Sequence, residues 1–252
     1  MGILNGRIAV ITGAGRGIGR EHALLFAREG GTVVVNDLGT AHREGHDDVS
    51  AAQSVVDEIT AAGGTASANT DNVATFEGAG RLVQQAVDTY GRLDVVVNNA
   101  GILRDRMLTN MTEQEWDAVI NVHLKGSFAP MHHAAIHWKN RSKAGDTTVA
   151  GRVINTTSVS GVFGNVGQTN YGAAKAGIAA MTIIAARELQ RYNVTVNAIS
   201  PHALTRMTED LGTVSDEARD ARDPRWIAPV VVWLASRESG HVTGRVIDAG
   251  GG

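Results

Sequence analysis

Short, unbroken apolar runs recur along this chain, separated by longer stretches with the 3.6-residue period of a helix. RIAVIT (7–12), TVVVND (32–37), LDVVVN (93–98), RVINTT (152–157), NVTVNAI (193–199) and RVIDAG (245–250) are rich in β-branched residues. A strand covered on one face alternates polar and apolar positions. These runs do not, so they predict parallel strands buried on both faces. Helical periodicity predicts helices over 20–29, 47–62, 75–90, 112–138 and 171–191. Thr112 and Glu115 have capping-box spacing at the start of the fourth. The strand–helix rhythm predicts an α/β fold, a doubly wound parallel sheet with helices on both faces. The 252 residues suit one such domain, without internal repeat or linker. The long polar stretch 202–223 is followed by only a short helix and a strand. It reads as a loop over a site rather than a linker.

Composition narrows the function. The formal net charge is -3 and no basic stripe stands out, so nucleic acid is not an expected partner. Cysteine is absent, which excludes disulfides, thiolate metal sites and cysteine nucleophiles, and fits a reducing compartment. The start, MGILNGRIAVITG, lacks a signal-peptide pattern, and Gly6 stands where a myristoylation motif wants Ser or Thr. Apolar stretches such as IAPVVVWLA are too short to span a bilayer. The expectation is a soluble, cytoplasmic protein with no membrane partner.

The first strand runs into TGAGRGIG (12–19) and then a helix. Gly13, Gly17 and Gly19 let the backbone turn sharply and approach a diphosphate at the helix N-terminus, with Arg16 and Ile18 in the same loop. Asp37 ends the next strand. A carboxylate there accepts both adenosine ribose hydroxyls and repels a 2′-phosphate, which favours NAD over NADP. Arg16 argues mildly the other way, unless it is an ordinary surface residue.

NYGAAKAGIAAM (170–181) places Tyr171 and Lys175 at i and i+4, on one helix face. A nearby ammonium favours phenolate, so Lys175 is expected to lower the Tyr171 pKa and fit it for proton exchange near neutral pH. Ser158 ends the strand RVINTTS, where its hydroxyl could bind the reacting oxygen.

These motifs, with NNAG at 98–101, identify the chain as resembling the short-chain dehydrogenase/reductase family. VVVNDLG, VVVNNAGILRDRML, VHLKGSF, GNVGQTNYGAAKAG and SPHALTRM make it most similar to one branch, the (3R)-hydroxyacyl-CoA dehydrogenases of peroxisomal multifunctional enzyme type 2 and bacterial relatives. The resemblance implies a Rossmann-type sheet of about seven strands, a nicotinamide cofactor, and Ser158, Tyr171 and Lys175 as catalytic residues. It also implies cofactor contacts from Asp71 and Asn72 in NTDNV, from Asn99, Ala100 and Gly101, from Tyr171 and Lys175, and from Pro201 and Thr205. An acyl-CoA substrate is implied too, and assembly as a homo-oligomer, a tetramer or dimer, through helices such as 171–191.

Two positions depart from the family pattern. His123 stands where the family usually has a catalytic asparagine, and reads either as a proton-relay residue or as a packed helix residue. Pro201-His202 replaces the usual Pro-Gly, and Thr205 falls one residue early. His133 and His137 have i, i+4 spacing but no evident third ligand, so no catalytic metal is expected. Arg104 and Arg106 are candidate contacts for CoA phosphates or a surface ion-pair cluster. Rival functions are an NADPH-dependent 3-oxoacyl thioester reductase, a steroid or other hydrophobic alcohol dehydrogenase, and a catalytically silent dinucleotide-binding subunit.

Overall fold

The computed structural model describes residues 2–39, 51–203 and 220–251. Strand β1 (Ile8–Thr12) leads into α1 (Gly17–Arg28), followed by β2 (Thr32–Asn36) and α2 (Ala51–Ala61). Next come β3 (Thr65–Asn69), α3 (Phe76–Tyr90) and β4 (Val95–Asn98). The middle holds α4 (Glu113–Ile120), α5 (Gly126–Lys143), β5 (Gly151–Thr156), the short α6 (Ser160–Phe163) and α7 (Thr169–Leu189). β6 (Val194–His202), α8 (Ala228–Ala235) and β7 (Val246–Gly250) complete it.

The seven strands form one sheet in the order β3-β2-β1-β4-β5-β6-β7, and every neighbouring pair is parallel. Six of them occupy the apolar runs. The seventh, β3, reads TASAN and lies half-exposed at the sheet edge, so it needs no branched apolar residues and gives no signal for a strand.

Alternate residues of each strand enter opposite cores. Ala9, Ile11, Val33 and Val35 pack with Phe26 of α1, Ile59 of α2 and Val231 of α8. Ile8, Val10 and Val34 pack with Leu82 of α3, Trp138 of α5 and Ala185 of α7. Both faces are covered, which is why the runs show no alternation.

The predicted helix 112–138 is interrupted. After α4 the chain makes a π-helical turn, Asn121–Lys125, before α5 begins, and His123 lies inside that turn. Thr112 accepts from the Glu115 N–H, and the Glu115 carboxylate accepts from the Thr112 N–H, so the expected capping box is present. Among the described residues no helix is long and apolar enough to cross a membrane.

Candidate active site

Strand order reverses between β1 and β4, and the loops after their C-terminal ends part there. In open α/β sheets this crevice is where ligands bind. A cavity of about 650 Å³ opens at that point, walled by the loops after β1, β2, β4, β5 and β6.

The glycine loop is built by close approach. Gly13 and Gly17 have φ of +62° and +52°, values at which other residues are strained. A Cβ on Gly19 would sit 2.2 Å from the Gly13 carbonyl oxygen. Gly19 therefore packs behind the loop and does not line the cavity, unlike Gly13, Arg16, Gly17 and Ile18. Its missing side chain lets the loop close on α1. The first turn of α1 carries no acidic residue and no side-chain cap, which leaves its N-terminus suited to an anion.

Thr12 was not singled out by the sequence, yet it joins the two loops. Its Oγ accepts from the N–H groups of Asn99, at 3.0 Å, and Ala100, at 3.0 Å. The Asn99 amide returns hydrogen bonds to the carbonyls of Thr12 and Gly13. Asp37 accepts from the Gly15 and Gly39 N–H groups, each at 2.9 Å, so its carboxylate is fixed at the cavity wall. Asp71 and Asn72 also line the cavity. The Asp71 carboxylate is held by Arg81 and by Asn69 Nδ2.

The predicted catalytic residues converge at the other end of the same cavity, where Ser158, Tyr171, Lys175 and His123 all form wall. Lys175 is buried, and its Nζ donates to the Thr156 carbonyl at 2.6 Å and stands 5.4 Å from the centre of the Tyr171 ring. Burial brings the Lys175 amine down to about 7. Tyr171 departs from expectation. Burial pushes its phenol above the ordinary value; the Ser158 hydroxyl opposes this, and the Asp105 carboxylate adds to it. The largest of these is desolvation of the phenolate, which favours the neutral phenol.

His123 is buried beneath Tyr171. The rings meet edge to face with centres 5.1 Å apart. Nε2 lies 2.7 Å from the Ile102 carbonyl oxygen and 3.0 Å from the Ile102 N–H, and one nitrogen serves only one of them. The shorter contact assigns the proton to Nε2, donating to the carbonyl. Nδ1 is buried without a partner. Burial drops the imidazole to about 3, so it is neutral at working pH.

Pro201 and His202 reach the cavity from β6, with His202 paired to Asp248. Thr205 and most of the predicted loop 202–223 lie outside the described residues. Arg106 pairs with Glu115 at 2.9 Å, the surface ion pair that was one of its two readings. Gln168, Asn165 and Arg222 line the cavity and were missed; single amides and arginines carry no pattern in one sequence.

Comparison with known proteins agrees with this fold. The short chain dehydrogenase family model matches residues 7–216. The hydroxyacyl-CoA dehydrogenase ChsB1 of Mycobacterium tuberculosis is 46% identical over 96% of this chain and 77% of its own length. Peroxisomal multifunctional enzyme type 2 of Mus musculus is 43% identical over 98% of this chain. The chain spans about a quarter to a half of the length of the multifunctional peroxisomal enzymes it matches. A crystal structure of a short chain dehydrogenase from Mycobacterium avium superposes with a TM-score of 0.90 at 56% identity, covering 100% of this chain and 85% of that one. By sequence, sheet order and site geometry, the chain belongs to the short-chain dehydrogenase family of nicotinamide-dependent oxidoreductases.

Proposed function

We propose that this chain transfers a hydride between NAD and a secondary alcohol, oxidising a (3R)-hydroxyacyl-CoA to the 3-oxoacyl-CoA. The observation that carries this reading is one cavity with the glycine loop and Asp37 at one end and Ser158, Tyr171 and Lys175 at the other. The choice of substrate rests on relatives named for hydroxyacyl-CoA dehydrogenation.

The residues present fit the cofactor. Gly13 and Gly17 leave room for a diphosphate, and Asp37 offers a fixed carboxylate to the adenosine ribose. When bound, the oxidised nicotinamide supplies the hydride acceptor and a positive charge. That charge favours the Tyr171 phenolate, which burial alone does not. Tyr171 then takes the hydroxyl proton while the carbinol hydrogen leaves with its electron pair, and the C–O single bond becomes a carbonyl. Ser158 holds the reacting oxygen, and Lys175 binds ribose and supports the phenolate as it forms. His123 is a positioning residue: it is neutral, it holds Ile102, and its ring backs Tyr171.

We assign the chain to a cytoplasmic homo-oligomer. Ile183 and Ile184 of α7 and Ile136 of α5 are exposed apolar side chains that support such an assembly. Of the small residues of α7, Gly172 and Gly177 face Ser160 and Leu124 within the chain, while Ala173, Ala176 and Ala180 are exposed.

The test is a set of initial rates with (3R)- and (3S)-hydroxyacyl-CoA, each with NAD and NADP. Turnover confined to the (3R) isomer and NAD is expected. Binding of NAD without turnover of either isomer would contradict the substrate, and preference for NADP would contradict the role of Asp37.

A further inference from the structure

The loop after β4 runs past the front of α7, and three hydrogen bonds tie the two together. The Arg106 N–H donates to the Gly167 carbonyl at 2.8 Å. Asn170 Nδ2 donates to the Arg104 carbonyl at 3.0 Å, and Gln168 Nε2 donates to Asp105 Oδ2 at 2.8 Å. The last bond sets an orientation. A carboxylate only accepts, so it takes the NH₂ end of the Gln168 amide and turns Oε1 the other way. That oxygen receives the Ser160 hydroxyl at 3.0 Å, and the Ser160 N–H donates to Ser158 Oγ at 3.2 Å. A continuous chain thus runs from Asp105 through Gln168 and Ser160 to Ser158, beside Tyr171. Core packing does not explain it, because Asp105 is exposed and Gln168 and Ser160 are only half-buried.

We propose that Asp105 is a positioning residue for the reaction at this site, acting on Ser158 through Gln168 and Ser160 and on Tyr171 through its charge. The proposal rests on the reading of Tyr171 as the proton acceptor. A carboxylate near a phenol disfavours a second negative charge, so Asp105 works with burial to keep Tyr171 protonated. The other titratable groups at Tyr171 are Lys175 on the same helix and neutral His123 behind the ring. Arg222 and His202 also line the cavity. Asp105 is the acid in this set whose charge opposes the phenolate.

The experiment is a titration of Tyr171 by tyrosinate ultraviolet absorbance, on the full chain without cofactor or substrate. The chain has three tyrosines, so subtraction of the Tyr171→Phe variant isolates the one of interest. Asp105→Asn keeps an acceptor for Gln168 but removes the charge. It is expected to lower the Tyr171 midpoint, modestly because the carboxylate is exposed. Asp105→Glu is expected to restore it. The rising limb of the oxidation rate with pH should move the same way. A titration in Asp105→Asn that superimposes on wild type overturns the charge role. Gln168→Leu breaks the chain and leaves the charge. Its expected result is a several-fold lower kcat, and an unchanged kcat overturns the hydrogen-bond role. Because the titration needs no substrate, its failure leaves the proposed reaction standing. Conversely, full turnover by Tyr171→Phe would sink that reaction whatever the titration shows.

Discussion

At the residue scale, burial decides what the site groups do. Lys175 is held with its amine at about 7 and with one carbonyl as partner, so the folded state bears the cost of desolvating it. Lys175→Met is therefore expected to raise stability by about 1–2 kcal/mol while turnover falls at least about 100-fold. Paired thermal melts and initial rates check this, and a destabilised variant would contradict it. His123→Phe keeps a ring against Tyr171 but removes the donor to Ile102. It should cost about 1–3 kcal/mol in urea unfolding and lower kcat. That Ser158, Tyr171 and Lys175 would line one cavity was legible from their motifs and the family resemblance. Their ionisation was not. The spacing puts Lys175 near Tyr171, but it does not report how far each is withdrawn from water.

At the element scale, the strands were readable because burial on both faces forces unbroken apolar runs, and β3 was hidden because the sheet edge makes no such demand. The π turn at Asn121–Lys125 was hidden for a different reason. An extra residue in one turn leaves flanking helical periods intact, and no side-chain pattern marks where it falls. Such turns gather at functional sites, and this one sets His123 under Tyr171. The glycine loop was legible, but the division of labour within it was not. Gly19→Ala would press a methyl into the Gly13 carbonyl, closer than any real contact. Loss of at least about tenfold in NADH affinity is expected, from the same loop geometry that the diphosphate needs. Fluorescence titration measures it, and wild-type affinity would show that the loop can relax without consequence.

At the scale of the whole molecule, two buried neutral imidazoles set the acid limit. His22 lies fully buried in α1 with no partner at either nitrogen, and burial brings it to about 3, as it does His123. Both folded values lie below the ordinary 6.5, so the unfolded chain takes up these protons first. Their contribution is fully present above 6.5 and is lost as pH falls towards about 3, at about 1.4 kcal/mol per unit for each. Lys175 adds a second window. Its folded value lies below 10.5, so stability also falls between about 10.5 and about 7 as pH drops. Urea midpoints measured across pH should show both slopes in wild type. The acid slope should lessen in His22→Leu, and an unchanged acid slope there would mean that His22 reaches water.

The sheet order that brings the glycine loop and Tyr171 to one cavity is the central structural fact, and the proposed function reads that cavity as a cofactor site joined to a proton-transfer site. Its most direct test is the rate of NADH formation from a (3R)-hydroxyacyl-CoA, wild type against Tyr171→Phe, with NAD binding measured in both. The account predicts turnover in wild type, a loss of about 100-fold or more in the variant, and unchanged NAD affinity. Retention of most of the turnover by Tyr171→Phe would contradict it.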